Sequence, residues 1–214
     1  MISQKDQPQE QEEYLFKLLI LGDVGTGKTA IIKRYVHGTF NANYKSTIGV
    51  DFALKVIQRD EHTSIRIQLW DIAGQERFGN MTRVYYREAK AAVVVFDQTR
   101  DATLEGAVKW RQDIESKLGD EIPVILFANK ADMVTTPMPP EELEAFCAKH
   151  KFNAGWIATS ARANTGIVEG MNVLVERLLP KGPVVSVPTR TETIKLGEPS
   201  AAEQTTSSGG GCCK

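Results

Sequence analysis

Residues 22–29 read Gly22-Asp23-Val24-Gly25-Thr26-Gly27-Lys28-Thr29. The run fits the pattern G-x-x-x-x-G-K-[ST], in which the backbone N–H groups of a loop wrap a phosphate chain. The apolar residues 16–21 before it predict a buried strand, and residues 30–36 after it predict a helix. The helix N-terminus adds its dipole to the anion site. A glycine-rich turn that matches by chance is the alternative, but the flanking strand and helix favour a phosphate-binding loop.

The last two residues of this loop carry its chemistry. Lys28 is expected to place a positive charge beside the β- and γ-phosphates of a nucleotide. Thr29 offers a hydroxyl to Mg²⁺, a hard cation that prefers oxygen ligands. The loop alone leaves adenine and guanine nucleotides equally possible.

A second segment, Asn129-Lys130-Ala131-Asp132, indicates which base is bound. It follows the apolar run 124–128, which predicts a parallel strand, and ligands bind at the carboxyl ends of such strands. The Asp132 carboxylate can accept two hydrogen bonds from guanine, whereas adenine has no matching donor pair. The stem of Lys130 can cover the base, and Asn129 can tie this loop to the phosphate loop. Alone, a pattern this short would be better read as a solvated turn.

The base pocket has a third candidate wall in Thr159-Ser160-Ala161-Arg162, which follows the next predicted strand. Backbone N–H groups of Ser160, Ala161 and Arg162 could complete the pocket. An ordinary polar loop is the alternative interpretation.

The segment Leu69-Trp70-Asp71-Ile72-Ala73-Gly74-Gln75-Glu76 ends a predicted strand in an acidic residue. Asp71 is expected to orient Mg²⁺, the role of the second acidic motif in proteins with this loop. The N–H of Gly74 can meet the γ-phosphate, and Gln75 is placed to orient an attacking water. A helix cap for Asp71 and a solvated loop residue for Gln75 are the alternatives.

Thr47 lies in the segment Tyr44-Lys45-Ser46-Thr47-Ile48-Gly49. Its hydroxyl could reach Mg²⁺ while its N–H meets the γ-phosphate. Such a segment would close only when the third phosphate is present.

Strands alternate with helices along the chain, which predicts an α/β fold with a mostly parallel sheet covered on both faces. We expect six strands, with one antiparallel edge strand formed by a hairpin that turns near residues 60–62. The predicted strands are 14–21, 50–58, 64–70, 91–97, 123–128 and 155–158, and the predicted helices are 28–37, 80–89, 103–117, 140–150 and 166–179. The expected organisation is a disordered extension (1–13), one domain (14–180) and a flexible tail (181–214).

Together these motifs resemble the Ras superfamily of small GTPases, and most closely its Rab family. Four further segments resemble Rab-characteristic sequences: 48–52 (IGVDF), 75–79 (QERFG), 85–89 (YYREA) and 95–99 (VFDQT). The resemblance covers residues 14–180 and the C-terminus. It implies a P-loop NTPase small G domain that binds GTP or GDP with Mg²⁺ and hydrolyses GTP slowly without a GTPase-activating protein. The implied nucleotide-binding set is Gly22, Asp23, Val24, Gly25, Thr26, Gly27, Lys28, Thr29, Ala30, Phe40, Tyr44, Thr47, Gly74, Asn129, Lys130, Asp132, Ser160, Ala161 and Arg162.

The resemblance also assigns five aromatic residues. It implies that Phe40 packs against the base and that Tyr44 covers the phosphates, while Phe52, Trp70 and Tyr85 form a triad that effectors bind. Core packing is the alternative for those three rings. The implied partners are an exchange factor, a GTPase-activating protein, effectors, a GDP-dissociation inhibitor and a Rab escort protein, with the chain itself a monomer.

Two positions depart from most of the family. Ile72 stands where most members have Thr, and this resembles the branch that serves lysosome-related organelles, which suggests endosomal, lysosomal or lysosome-related membranes. Val24 stands where Gly or Ser is common. Because a β-branched side chain is stiff and lies near the expected position of Gln75, we expect slow intrinsic hydrolysis.

The apolar runs are shorter than a membrane span and the acidic N-terminus does not fit a signal peptide, so we expect a cytosolic chain. The resemblance implies the cytoplasmic face of intracellular membranes, with a soluble cytosolic pool. The net charge is −1, without the basic patch that a nucleic-acid surface needs. Cys147 lies in an amphipathic helix pattern and is expected to be a small core residue. Cys212 and Cys213 instead follow a Ser/Gly-rich stretch that cannot form a core. This ending resembles the paired cysteines of Rabs that receive geranylgeranyl groups, and two lipid chains give stable anchoring. An unmodified flexible tail is the alternative.

Two other functional classes remain at this stage. A P-loop kinase or ATPase would need an adenine pocket, which residues 129–132 argue against. A non-hydrolysing scaffold that stays GTP-bound is favoured by Val24 and Ile72 and opposed by Gln75.

Overall fold

The computed structural model describes residues 12–43, 46–75 and 82–180. Tyr44, Cys212 and Cys213 lie outside the described residues, as do the tail 181–214 and most of the N-terminal extension. The strands are β1 (Glu12–Leu21), β2 (Val50–Gln58), β3 (Thr63–Ile72), β4 (Ala91–Asp97), β5 (Val124–Asn129) and β6 (Trp156–Ala158). The helices are α1 (Lys28–His37), α2 (Thr82–Tyr86), α3 (Ala102–Leu118), α4 (Pro140–Lys149) and α5 (Ile167–Leu178), with a short 3-10 helix at Ala131–Met133.

Within the described residues, six strands form one sheet in the order β2-β3-β1-β4-β5-β6. β2 and β3 are antiparallel, and the other neighbours are parallel. The hairpin turns where it was predicted, because the Asp60 carboxylate accepts the N–H groups of His62 and Thr63 at 2.9 and 2.8 Å. The predicted α/β sheet with one antiparallel edge strand is therefore confirmed.

The element ends differ most from the prediction at three places. β3 runs two residues further, to Ile72, and α2 ends at Tyr86 rather than at residue 89, since Glu88 takes a left-handed φ of 64°. β1 begins two residues early. Glu12 and Glu13, which the sequence placed in the disordered extension, pair with Thr63 and Ser64 of β3. The Glu12 N–H also donates to the His62 carbonyl at 2.7 Å, and Glu13 forms an ion pair with Arg66. Acidic side chains do not predict a strand. The first residues of β1 extend beyond β4 and pair with β3 alone, which leaves room for charged side chains at the surface.

The core consists of two apolar layers, one on each face of the sheet. Along β1 the side chains alternate, so that Leu18 and Ile20 pack beneath α1 and α5, whereas Leu19 and Leu21 pack beneath α2, α3 and α4. All seven residues of β4 are buried, as expected for a central parallel strand. Cys147 is buried in the second layer, as predicted, and burial raises the pKa of its thiol to about 12.

This topology brings the predicted functional loops to one edge of the sheet. The parallel strands β1, β3, β4 and β5 all end there, and the ligands of open α/β sheets bind at that edge. In the described part of the chain, no helix combines the length and apolar character that crossing a bilayer requires.

Candidate functional site

The phosphate loop joins β1 to α1 as its sequence predicted. Gly27 precedes the helix with φ 99°, a left-handed conformation that glycine adopts without strain. At Gly22 a Cβ atom would lie 2.2 Å from the Val95 carbonyl oxygen, so only glycine fits beside β4. The backbone therefore forms a close cradle at the N-terminus of α1, which suits an anion.

Lys28 lies buried at the floor of this cradle. Its Nζ donates to the carbonyl oxygens of Gly22 and Asp23 at 2.8 and 3.1 Å. Burial lowers the pKa of Lys28 to about 8, and the nearby Asp71 and Asp23 carboxylates partly oppose that shift. The ammonium is thus held inside the loop by backbone carbonyls.

Three oxygen-bearing side chains converge beside the loop. The Thr29 hydroxyl lies 2.5 Å from Asp71 Oδ2 and 2.8 Å from the Thr47 hydroxyl, which itself lies 3.3 Å from Asp71 Oδ2. The other carboxylate oxygen, Asp71 Oδ1, is buried without a hydrogen-bond partner, and burial raises the pKa of Asp71. A hard, oxygen-seeking cation such as Mg²⁺ fits this donor set.

A cleft of about 210 Å³ opens over these groups. Its walls come from the phosphate loop, from α1, and from residues 41, 43, 46, 47, 74 and 75. Gly74 packs directly on the loop, since a Cβ there would lie 2.5 Å from the Val24 nitrogen. Val24 itself is 39% exposed in the cleft wall, and Gln75 is exposed beside it.

The 129–132 loop is tied to the phosphate loop by a hydrogen bond. Asn129 Nδ2 donates to the Thr26 carbonyl at 2.8 Å, which is the tie that the sequence suggested. Lys130 takes a left-handed backbone conformation, with φ 63°, and its Nζ lies 2.7 Å from Asp97 Oδ2. Contacts within the protein therefore hold both side chains in place.

The third predicted wall meets the second. The Ser160 hydroxyl donates to Asp132 Oδ1 at 2.6 Å and accepts the Ala163 N–H at 2.8 Å. Ala161 is buried, and its carbonyl accepts a hydrogen bond from Arg34 Nε at 2.8 Å. Ser160 and Ala161 are consequently held next to the Asp132 carboxylate.

Arg34 links this wall to α1. It also donates to the Arg162 carbonyl at 3.2 Å and lies 5.9 Å from the ring of Phe40. Arg34 therefore contacts both Phe40 and the backbone of residues 161–162. Arg34 was not predicted from the sequence, where its one signal is a cation in the last turn of a helix.

The three residues of the predicted effector triad do not behave alike. Phe52 on β2 is 69% exposed, so core packing does not explain it. Trp70 pairs with it across the β2–β3 ladder and carries Lys17 Nζ 3.7 Å above its ring. Trp70 and Tyr85 are half-buried against the second core layer.

Trp110 and Asp97, to which the sequence alone assigned no role, support the loops from beneath. Trp110 on α3 donates its indole N–H to Asp23 Oδ1 at 3.0 Å, and a Cβ at Gly106 would lie 2.0 Å from Asp23 Oδ2. The buried Asp97 carboxylate holds Arg100 as well as Lys130. Asp97 was noted only as part of the segment 95–99, because spacing does not show which side chains meet in space.

Comparison with known proteins agrees with this geometry. The model of the Ras family matches residues 17–180. The chain is 53% identical to the human Ras-related protein Rab-32 over 175 residues, which are 79% of this chain and 77% of that protein. It is 49% identical to Rab-32A of Dictyostelium discoideum over 209 residues, 94% of each chain. It is 42% identical to human Rab-7L1 over 207 residues, 94% of this chain and 98% of that one.

The extent of these matches shows the family. Proteins of this family bind GTP or GDP with Mg²⁺, hydrolyse GTP, and act with regulators and effectors on intracellular membranes. The chain belongs to the Ras family of small GTPases and is a Rab-type member, a molecular switch of membrane traffic that resembles the Rab-32 proteins.

Proposed function

We propose that the cleft binds guanine nucleotide in one orientation, with the phosphates on residues 22–30 and the base between the loops 129–132 and 160–162. The single observation that carries this proposal is the Asn129–Thr26 hydrogen bond of 2.8 Å, since it joins the 129–132 loop directly to the phosphate loop. Asp132 accepts the guanine donors, the Lys130 stem and Phe40 cover the base, and Tyr44 closes over the phosphates.

Thr29, Thr47 and Asp71 are the proposed holders of Mg²⁺. The cation, when bound, neutralises phosphate charge. Thr29 and Thr47 come from different segments, and their hydroxyls lie only 2.8 Å apart. The segment that carries Thr47 therefore closes only when the third phosphate is bound, whereas Thr29 is fixed at the start of α1.

Hydrolysis of GTP is an in-line attack of water on the γ-phosphate. Gln75 orients that water, and Lys28 together with the N–H groups of the loop and of Gly74 stabilises the charge that develops. Because Lys28 is the one side-chain cation that we assign to the phosphates beside Mg²⁺, turnover is slow until a GTPase-activating protein contributes an arginine. GTP binding holds Thr47 and Gly74 and presents Phe52, Trp70 and Tyr85 to effectors.

The membrane role rests on the ends of the chain. We assign residues 14–180 to the GTPase domain, 1–13 to an N-terminal extension, and 181–214 to a tether. Cys212 and Cys213 are the geranylgeranylation sites, which implies a Rab escort protein and a GDP-dissociation inhibitor as partners. Ile72, together with the likeness to Rab-32 and Rab-7L1, supports endosomal, lysosomal or lysosome-related membranes as the site of action.

Nucleotide competition tests the binding proposal. Fluorescent GDP bound to the purified chain should be displaced by GDP and GTP, and not by ADP or ATP at the same concentrations. Equal displacement by ADP would contradict the assignment of Asp132 and remove the proposal.

A second candidate function is a GTP-bound scaffold that does not hydrolyse its ligand, and it is favoured by the Val24 side chain in the cleft wall. Loading the chain with GDP or with a non-hydrolysable GTP analogue separates the two candidates. A switch retains different partners in the two forms and releases phosphate when a matched GTPase-activating protein is added. Equal partners and no phosphate release would favour the scaffold.

A further inference from the structure

Arg100, in the turn between β4 and α3, contacts the phosphate loop from the side. Its Nη2 donates to the Val24 carbonyl at 3.0 Å, and its Nε donates to Asp97 Oδ2 at 2.8 Å. The same guanidinium lies against Gly25, where a Cβ atom would be 3.4 Å from Nη2. One planar group thus connects a buried carboxylate to two consecutive residues of the loop.

The carboxylate that anchors Arg100 is unusually well held. Asp97 is fully buried, and its Oδ1 accepts the N–H and hydroxyl of Thr99 at 3.0 and 2.6 Å. Its Oδ2 receives Lys130 Nζ at 2.7 Å together with Arg100. Burial alone would raise the pKa of Asp97, but the donors from Lys130, Thr99 and Arg100 outweigh it and hold the pKa at about 2. The anchor is therefore ionised at neutral pH.

The loop that Arg100 touches needs such support. Gly22, Gly25 and Gly27 all have positive φ values, and glycine loses more conformational freedom than other residues when it is fixed. A contact that fixes the loop before the ligand arrives reduces the entropy lost on binding. Because Asp97 also holds Lys130, the contact joins the phosphate end of the cleft to the base end.

We propose that Arg100 is a positioning residue of the nucleotide site, which braces the phosphate loop at Val24 and Gly25 against the carboxylate that anchors Lys130. This inference rests on the proposed assignment of the two loops to the ends of one nucleotide. Arg100 acts through the loop backbone, so its loss weakens retention of the nucleotide without removing a group that bonds to the phosphates.

The test is the release rate of fluorescently labelled GDP from the full-length, Mg²⁺-loaded protein, chased with unlabelled GDP. Arg100→Met keeps the apolar stem but removes both donors, and release should accelerate about 10-fold, the equivalent of one charge-assisted hydrogen bond. Arg100→Lys should fall between wild type and Arg100→Met, because an ammonium can meet Asp97 but lacks the fork that also reaches Val24.

Arg59→Met is the matched control. The Arg59 side chain is 44% exposed against 46% for Arg100, and it also pairs with one carboxylate, Glu176 at 3.3 Å. Arg59 follows β2 at the edge of the sheet opposite the cleft, so its variant should release GDP within twofold of the wild-type rate.

Four results would count against the inference or against the proposed function on which it rests. Release from Arg100→Met within twofold of wild type overturns the brace, as does equal acceleration in Arg59→Met. If Arg100→Met does not fold, wild-type release from Arg100→Lys overturns it instead. A wild-type protein that retains labelled ADP as long as labelled GDP contradicts the proposed function itself, which separates the two failures.

Discussion

The proposed base-binding end and the proposed phosphate-binding end of the nucleotide site differ in how completely the protein assembles them. At the base end, Asn129, Ser160 and Ala161 are buried and joined by hydrogen bonds to two other loops and to α1. At the phosphate end, Val24 and Gln75 are exposed around an open cleft. A preassembled pocket suits selection of one base, whereas an open end suits a ligand whose terminal phosphate comes and goes. Specificity and switching are thus assigned to different parts of one site.

The largest effect is expected at the base end, from Asp132→Ala. Two hydrogen bonds from guanine to a carboxylate are lost, so GDP affinity should fall by at least about 100-fold. Asp120→Ala is the control, since Asp120 is 58% exposed and lies 3.7 Å from Lys151 Nζ, away from the cleft. Equilibrium titration with fluorescent GDP measures both variants. A loss no larger than that of the control would break the comparison, because the base end would then contribute no specificity.

The sequence predicted that the segments 129–132 and 160–162 lie at one edge of the sheet, because each of them follows a strand. Asn129 and Asp132 come directly after a buried parallel run, and such loops must reach the ligand edge of the sheet. The brace of Asp97 and Arg100 was not predictable in this way, since it depends on three loops meeting in space. Arg34 was missed for the same reason, as it reaches carbonyls 127 and 128 residues away.

Most elements of the fold were likewise predictable from the sequence, and a few were not. Apolar runs predicted the buried strands such as β1 and β5, and alternation of polar and apolar residues predicted β3. The turn near Asp60 predicted the antiparallel edge strand. The acidic start of β1 at Glu12 was not predicted, because pairing with β3 depends on backbone groups rather than on side-chain polarity. The 3-10 helix at Ala131–Met133 was also missed, since three residues carry no periodicity.

Removal of the cation should have the next largest effect, and it concerns the phosphate end. We expect chelation of Mg²⁺ to accelerate GDP release from the wild type by about 30-fold, because the bound phosphates then lose the cation that neutralises their charge. In Thr29→Ala the acceleration should shrink to about threefold, because one proposed oxygen ligand is already absent. Thr135→Ala, an exposed threonine outside the cleft, should behave as wild type. An unchanged response in Thr29→Ala would remove Thr29 from the metal site.

Gln75→Leu should separate chemistry from binding at the open end. Loss of the side chain that orients water should slow single-turnover phosphate release by about 10-fold or more. GDP affinity should stay within twofold of wild type, because Gln75 is exposed and outside the base pocket. Gln58→Leu, an exposed residue at the far edge of the sheet, is the control. A parallel loss of GDP affinity would show that Gln75 supports the cleft rather than the reaction.

The smallest effect is expected from Val24→Gly, and it sharpens the comparison most. Val24 Cα and nitrogen lie against Gly74, and its side chain shares the cleft wall with Gln75. Removing a stiff β-branched group there should let Gln75 reach its position more often and raise intrinsic hydrolysis by a few-fold, roughly 1 kcal/mol of barrier. Val24→Ala should give an intermediate rate. GDP release should be unchanged in Val24→Ala, because the carbonyl that Arg100 contacts is kept. Equal hydrolysis rates in all three proteins, with and without a GTPase-activating protein, would mean that the Val24 side chain does not limit GTP hydrolysis.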